Sequence, residues 1–435
     1  MPLSFALRKW LVRSGLARFT SLARRLTGGY PDVLHYYSDR TLAAPVERLT
    51  DPATFPIVDG PDVMNLNLPA PRFDSPLSGG RLLADRSGTP PAWGLPALRE
   101  TIAERCLQQH GRTIDARTDV FITHGATAAY ATALDAFINP GDRIVLFDPC
   151  SPMFALGAES RRARIRWVPT WNEDGRARFL EEGLGRAMRG AKMLVLADPA
   201  NPTGGVLAET DWERIAWLAN RHDLLVYLDE SFGRYRLDMQ AVPLASMTAM
   251  KNRLLVAGSV SQGYGLASLR VGWLTGPLPL LQACALQACL SAPYVPTACQ
   301  DVALRALSTD EALFGPVREQ FRERRRYTID RLRSMGLEPS WPGGGYTTWV
   351  PVSPLGMTGR AFAEQLLRER DVLVGPGCAY GPSGTDHIRI SFAAEDGRLR
   401  EGLTRLAKFI AQRTGKLEPE ETRSFATASN LIQTH

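Results

Sequence analysis

Between residues 119 and 275, short apolar runs alternate with stretches whose apolar residues recur at helical spacing. The runs Val120–Thr123, Arg143–Phe147, Arg164–Val168, Met193–Ala197, Leu224–Leu228, Leu254–Ala257 and Val271–Leu274 have the length and the aliphatic content of buried strands. Strands separated by helices form a mostly parallel sheet covered on both faces. The pattern therefore predicts a doubly wound α/β domain around a seven-stranded, mostly parallel sheet. Such sheets bind ligands beyond the C-terminal ends of their strands, so functional residues are expected there.

Beyond residue 276 the pattern changes. A heavily charged helical stretch, Glu311 to Ser334, is long enough to reach a second, smaller α+β domain. The glycine turn in Trp341-Pro-Gly-Gly-Gly-Tyr-Thr-Thr-Trp349 leads into a strand, and His387–Ser391 reads as another strand, carrying Arg389. At the other end, residues 1–28 hold no acid. Their basic residues interleave with Val12, Leu16, Phe19, Ala23 and Leu26 at helical spacing. Such a helix can pack on its own domain or a partner, the reading preferred here, or lie on an anionic membrane surface. The resulting division is a basic helix and arm (1–62), a large domain (63–290), a small domain (291–414) and a polar tail (415–435).

Composition adds little to this picture. The 435 residues suffice for two domains, and the net charge of +6 is spread among acids, as on solvated faces rather than a nucleic-acid surface. Cys106, Cys150, Cys284, Cys289, Cys299 and Cys378 form no CxxC pair and no metal-ligand spacing. They read as thiols in a reducing cytoplasm, with Cys150 nearest the expected site. No apolar run reaches the ~18 residues of a membrane span.

The candidate chemistry lies in the loops after the strands. Gly125-Ala126-Thr127 follows the first strand and opens a helix, where backbone N–H groups bind anions. His124 precedes it and offers a donor. Asp148-Pro-Cys150-Ser151-Pro-Met-Phe154 follows the second strand, Asp198-Pro-Ala-Asn201-Pro-Thr-Gly-Gly205 the fourth, and Tyr227-Leu-Asp229-Glu-Ser-Phe232 spans the end of the fifth. After the sixth comes Gly258-Ser259-Val-Ser261-Gln262-Gly-Tyr-Gly-Leu-Ala-Ser-Leu-Arg270-Val-Gly272.

In order and spacing these motifs resemble the class I/II aminotransferases, the fold-type-I enzymes dependent on pyridoxal 5'-phosphate (PLP). The resemblance covers about residues 63 to 413. It implies that Gly125, Ala126, Thr127, Ser259, Ser261 and Arg270 hold the cofactor phosphate. Asn201 would contact the cofactor 3-oxygen, Asp229 the pyridine nitrogen, and Arg389 the substrate carboxylate. It also implies a homodimer, with the site built between subunits, and an amino acid or 2-oxo acid as substrate.

The sequence departs from the family at the positions nearest the chemistry. The family's lysine, which holds PLP covalently and moves the proton at the substrate α-carbon, is here Gln262. A glutamine amide does neither. The chain's lysines are Lys9, Lys192, Lys251, Lys408 and Lys416, and none stands directly after Ser261. Ser151 stands where an aromatic residue stacks on the ring, and Thr89 where a tyrosine reaches the neighbouring subunit's phosphate. Phe232 replaces a tyrosine. Pro69 replaces the glycine of the opening motif Asn65-Leu-Asn-Leu-Pro69-Ala-Pro-Arg-Phe-Asp-Ser-Pro76 and has no N–H to donate. Three readings follow. The first, which we prefer, is a lysine-less member that binds PLP or pyridoxamine 5'-phosphate (PMP) non-covalently. The second is a non-catalytic relative acting as a subunit or binding module. The third is an ordinary aminotransferase whose lysine was deliberately replaced.

Overall fold

The computed structural model describes residues 63–66, 91–238, 244–308 and 314–415. The basic N-terminal stretch, Pro69, Thr89 and the polar tail lie outside the described residues, and so do the expectations attached to them.

In chain order the strands are β1 (Met64–Asn65), β2 (Val120–Thr123), β3 (Arg143–Asp148), β4 (Arg164–Glu173), β5 (Arg176–Phe179), β6 (Met193–Ala197), β7 (Leu225–Asp229), β8 (Leu254–Ser259), β9 (Gly272–Thr275), β10 (Thr347–Pro351), β11 (Val372–Leu373), β12 (Gly375–Pro376) and β13 (His387–Ser391). The helices are α1 (Pro96–His110), α2 (Gly125–Phe137), α3 (Pro152–Ser160), α4 (Glu181–Met188), α5 (Glu209–His222), α6 (Leu244–Ala249), α7 (Val260–Gly263), α8 (Leu278–Ser291), α9 (Thr297–Leu307), α10 (Gly315–Ser334), α11 (Gly359–Arg370) and α12 (Asp396–Thr414).

The large sheet runs β2-β9-β8-β7-β6-β3-β4-β5. It is parallel from β8 to β4, and its edges are antiparallel. It has eight strands, one more than the sequence pattern predicts. The addition, β5, folds back on a β4 that runs to Glu173. Asp174 and Gly175 link them with φ of 47° and 83°, the left-handed pair that a two-residue hairpin turn requires. The hairpin tip also meets the small domain: a Cβ on Gly175 would come within 2.9 Å of Gly343 Cα.

Strand alternation divides the core. Ile144, Leu146, Met193, Val195, Leu255 and Leu274 pack with Ala129 and Ala133 of α2 on one face. Val145, Phe147, Leu194, Leu196, Val226 and Leu228 pack with Leu184 of α4 and Trp212 of α5 on the other. Towards the β2 edge of this second face, Leu98 and Ile102 of α1 and Ala303 of α9 cover Val120 and Ile122. Each such aliphatic side chain contributes roughly 1.5–3 kcal/mol on full burial, which fixes every strand's register.

A smaller sheet, β10-β13-β12, carries α11 and α12 and has its own apolar cluster. Residues 63–66, grouped above with the large domain, pair through β1 with β11, and Met64 and Leu66 join that smaller core. Conversely, α9, placed above in the small domain, shares the large domain's cluster with α1. Among the described residues, no helix is long and apolar enough to cross a membrane.

Candidate active site

Chain order along the parallel strands reverses between β3 and β6, and the loops after β3, β6, β7 and β8 open at the same end of the sheet. A doubly wound sheet forms its ligand crevice at such a switch point.

The best-defined part is an anion cradle. Thr123 of β2 and Ser259 of β8 are both register partners of Gly272 in β9. A Cβ on Gly272 would lie 2.6 Å from the Gly125 carbonyl carbon, so only glycine lets the strand approach the start of α2. Gly125, at φ 77°, begins that helix; no side chain caps the helix and its first turn holds no acid. Its leading N–H groups and dipole thus remain available to an anion. The Arg270 guanidinium faces them: a Cβ on Gly125 would meet its Nη2 at 2.6 Å. Arg270 Nη1 donates to the Ala267 carbonyl at 3.1 Å and to Ser261 Oγ at 3.4 Å. Arg270 also holds φ 53°, a left-handed conformation that costs a non-glycine residue about 1–2 kcal/mol. Thr127 is exposed beside the cradle and Ala126 half-buried, with the Ala126 carbonyl 3.5 Å from the Tyr227 hydroxyl.

Gln262 lies on the one-turn helix α7, which begins directly after Ser259. Ser259 Oγ donates to Gln262 Oε1 at 2.8 Å, which engages the amide carbonyl and leaves its NH2 as a donor. Gln262 itself is half-buried.

Asp229 ends β7, in register with Ala197 and Ala257. Burial raises its carboxyl above the ordinary aspartate value and Glu230 adds to this, while the Ser231 N–H, 2.8 Å from Oδ1, opposes it. Such a carboxyl gains from a cationic or proton-bearing partner. In the β6 loop, Asn201 Oδ1 accepts from Arg389 Nη1 at 3.2 Å, which joins the two domains. Arg389 is 6% exposed and lies 5.3 Å from the centre of the Tyr380 ring. Burial raises the Tyr380 hydroxyl's pKa, and Arg389 opposes the shift.

The β3 loop is clamped to the same small-domain segment. Cys150 N–H donates to the Tyr380 carbonyl at 2.8 Å, and Ser383 donates to Asp148 through its N–H and, at 2.8 Å, its hydroxyl. Ser151 follows, half-buried, and caps nothing. Phe154 is buried in the core, edge-on to Tyr130 at 5.2 Å. Phe232 likewise packs edge-on to Tyr346, at 4.8 Å. The Nε2 of His124 lies 2.9 Å from the Tyr294 carbonyl, tying the chain before α2 to the segment after α8.

The geometry therefore brings together Gly125 with Arg270 and Ser261, Ser259 with Gln262, and Asn201 with Arg389. Sequence reasoning passed over the Asp148–Ser383 clamp, Tyr380 and Gly272. The aromatic within Gly377-Cys-Ala-Tyr380-Gly381 was a usable signal. The clamp, between residues far apart in the chain, left none. Among the described residues, no cluster of side chains is arranged to hold a metal ion.

Comparison with known proteins agrees with this architecture. The sequence profile of aminotransferase class I and II matches residues 78–406. An arginine–pyruvate transaminase of Pseudomonas aeruginosa is 31% identical over 366 residues, 83% of this chain and 93% of that one. An aspartate aminotransferase of Pyrococcus abyssi is 28% identical, over 81% and 92% of the two chains. Among solved structures, the aspartate aminotransferase of Thermus thermophilus with maleate superposes with a TM-score of 0.77 at 25% identity, covering 86% of this chain and 99% of that one. A match of this extent, over a fold and loop order of this kind, places the chain in the class I and II aminotransferase family.

Proposed function

We propose that this chain binds PLP or PMP non-covalently and holds an amino acid or 2-oxo acid beside it by its carboxylate. The carrying observation is the Ser259–Gln262 hydrogen bond beside the anion cradle of Gly125, Ser261 and Arg270. The family's enzymes use PLP, and here Gly125, Ala126, Thr127, Ser261 and Arg270 would hold its phosphate, while the Ser259 hydroxyl, which the resemblance adds to that set, is engaged by Gln262. Asn201 and Asp229 would hold its ring. These residues fit the group in all but the covalent link, because a glutamine amide cannot form it.

When bound, the cofactor supplies an electron sink for the substrate's α-carbon. Around it, Asp229 holds a proton at its raised carboxyl or releases it to a basic nitrogen, so ring binding demands no net charge in the buried site. Arg389 presents a planar fork to a carboxylate, oriented by Asn201 Oδ1. Gln262 donates one or two N–H bonds from the lysine position but transfers no proton. A slow or altered reaction follows, because a missing positioned acid/base typically costs 10²–10⁴-fold. A homodimer is part of this proposal.

The inability of Gln262 to titrate also favours a second reading, a non-catalytic ligand-binding relative. Absorbance and calorimetry of the full chain with PLP and with PMP separate the two. Saturable, dialysable binding without a borohydride-reducible link, together with slow turnover of an amino acid or 2-oxo acid, is expected. Binding without turnover selects the second reading, and absence of cofactor affinity removes the first.

A further inference from the structure

Asp229 and Glu230 are chain neighbours with separate surroundings. Asp229 ends β7. Glu230 borders a cavity of about 600 Å³ between α1 and β8, whose described lining does not include Asp229. There its Oε2 lies 3.1 Å from Nε2 of His110, the last residue of α1. The side chains of His110 and Glu230 are 8% and 13% exposed, so the pair is largely out of water.

Both partners are fixed by their own elements. At the start of α1 the Leu95 N–H donates to Gln300 Oε1 at 2.8 Å, and Leu98 and Ile102 pack with Val120 and Ile122. The C-terminal carbonyls of α1 suit a cation at its last residue. On the other side, the Glu230 N–H donates to the Ala257 carbonyl of β8 at 2.9 Å, and the Gly233 N–H donates to the Glu230 carbonyl at 2.7 Å. One residue on, the Ser231 N–H holds Asp229 Oδ1 at 2.8 Å. Glu230 thus stands in the middle of the turn that orients Asp229.

The charges around this turn have a definite sense. Glu230 faces His110 and Cys106 of α1, Arg112 just after it, Arg236 after β7 and Asp198 after β6. Arg105, Arg234, Arg318 and Arg322 line the same cavity and, like His110, favour an ionised Glu230. Arg236 Nη2 lies 3.2 Å from both Asp198 Oδ2 and the Asp198 carbonyl, and the Asp198 N–H donates to the Asp229 carbonyl at 3.1 Å. Asp229 faces Tyr227 and Tyr346, both kept protonated by burial. Burial opposes the ionisation of Glu230, yet His110, Arg236 and Arg112 hold it ionised. Burial raises the Asp229 carboxyl, and the Glu230 anion adds to the rise. A fixed anion disfavours ionisation of a carboxyl beside it.

We infer that Glu230 is a positioning residue for Asp229: anchored by His110, it stands as a fixed anion in the turn and keeps a proton on the Asp229 carboxyl. At the cofactor, a step that rests on the function proposed above, the same anion sets the proton that Asp229 shares with the ring nitrogen, from outside the site.

The test follows the Asp229 carboxyl by infrared titration of the full chain, its band identified as the part that Asp229→Asn removes. Without cofactor, Glu230→Gln keeps the side chain's size, removes its charge and lowers the Asp229 midpoint by about half a pH unit or more, a roughly threefold change in proton affinity. Glu230→Asp keeps the charge and leaves the midpoint within about 0.2 units of the unaltered chain. A merely structural role predicts the reverse order, with the shorter side chain the larger disturbance. Where Glu230→Gln unfolds the chain, Glu230→Gln combined with His110→Gln replaces the pair by two neutral amides, and the same downward shift is expected. A midpoint unmoved in the folded variant, or moved equally by Glu230→Gln and Glu230→Asp, overturns the inference. Calorimetry with PLP and PMP over the same pH range comes second, and the acid limb of the affinity profile should move down with the midpoint. A limb that stays in place while cofactor binds overturns the role at the cofactor. Absence of cofactor affinity in the unaltered chain, with the midpoint still lowered by Glu230→Gln, removes the proposed function and supports the action of Glu230 on Asp229.

Discussion

Ser259 Oγ donates to Gln262 Oε1 across 2.8 Å, so a serine that the family resemblance assigns to phosphate binding instead holds the side chain that the same resemblance puts at the lysine position. Among the described residues the lysines are Lys192, Lys251 and Lys408, and none lies on the loops that form the cradle. Added PLP should keep the spectrum of the free aldehyde or its hydrate and be lost on dialysis. Gln262→Lys should create a borohydride-reducible link to PLP and raise transamination from its low level. Ser151 supplies no stacking ring, so recovery should be partial. A borohydride-reducible link in the unaltered protein would refute this account, and full recovery of transamination would favour a deliberate lysine replacement.

Arg270 and Gly125 define the cradle together, so substitution of either should weaken it. Arg270→Ala removes a charged hydrogen-bond donor worth about 1.5–3 kcal/mol. PLP or PMP affinity measured by calorimetry should fall by about one to two orders of magnitude. Gly125→Ala should act on both binding and folding. Its Cβ would press on Arg270 Nη2, and its φ of 77° is strained for alanine. A loss of about 1–3 kcal/mol in unfolding free energy is expected from such strain.

Arg389 meets Asn201 from across the two domains. Removal of one partner of a buried charge pair costs about 2–5 kcal/mol. Arg389→Ala should therefore weaken a dicarboxylate or amino-acid ligand by at least tenfold. Arg389→Lys should restore little, because an ammonium cannot form the planar fork. Equal carboxylate affinity in the unaltered and Arg389→Ala proteins would remove the assignment.

Glu230 gives a pH dependence of definite sign. Burial opposes its ionisation, but His110, with help from Arg236 and Arg112, more than offsets this and holds the carboxyl below its usual 4.5. In the folded state it stays ionised where the unfolded chain is protonated. Its stabilisation is thus present above pH 4.5 and lost as pH falls towards the lower folded value. Asp148, Asp198 and Asp229, raised chiefly by burial, act oppositely: their contribution is present below pH 3.8 and lost as pH rises through their folded values. Glu230→Gln should lower stability at neutral pH by about 1–3 kcal/mol and flatten the acid limb of a plot of unfolding free energy against pH. An unchanged acid limb would show that the pairing with His110 carries no weight.

The sequence alone determined the alternation of strands and helices, because apolar periodicity follows from how much of each face is buried. Of the seven anticipated strands, each appears within a few residues of its expected bounds. The Gly125 helix start and the Asn201 and Asp229 loops were also legible, since each is local in the chain. Only the tertiary structure decided which of these residues meet. Arg270 reaches Gly125 because Gly272 lets β9 approach the start of α2, and Arg389 reaches Asn201 although 188 residues separate them. β5 was locally encoded in Asp174-Gly175, yet its run Arg176-Ala-Arg-Phe179 is too short and polar to stand out. It becomes a strand by pairing along the edge of β4. The assignment of 63–66 to the smaller core has the same origin. Side chains distant in sequence share a wall only after the layers have packed, and no pattern along one chain records that proximity.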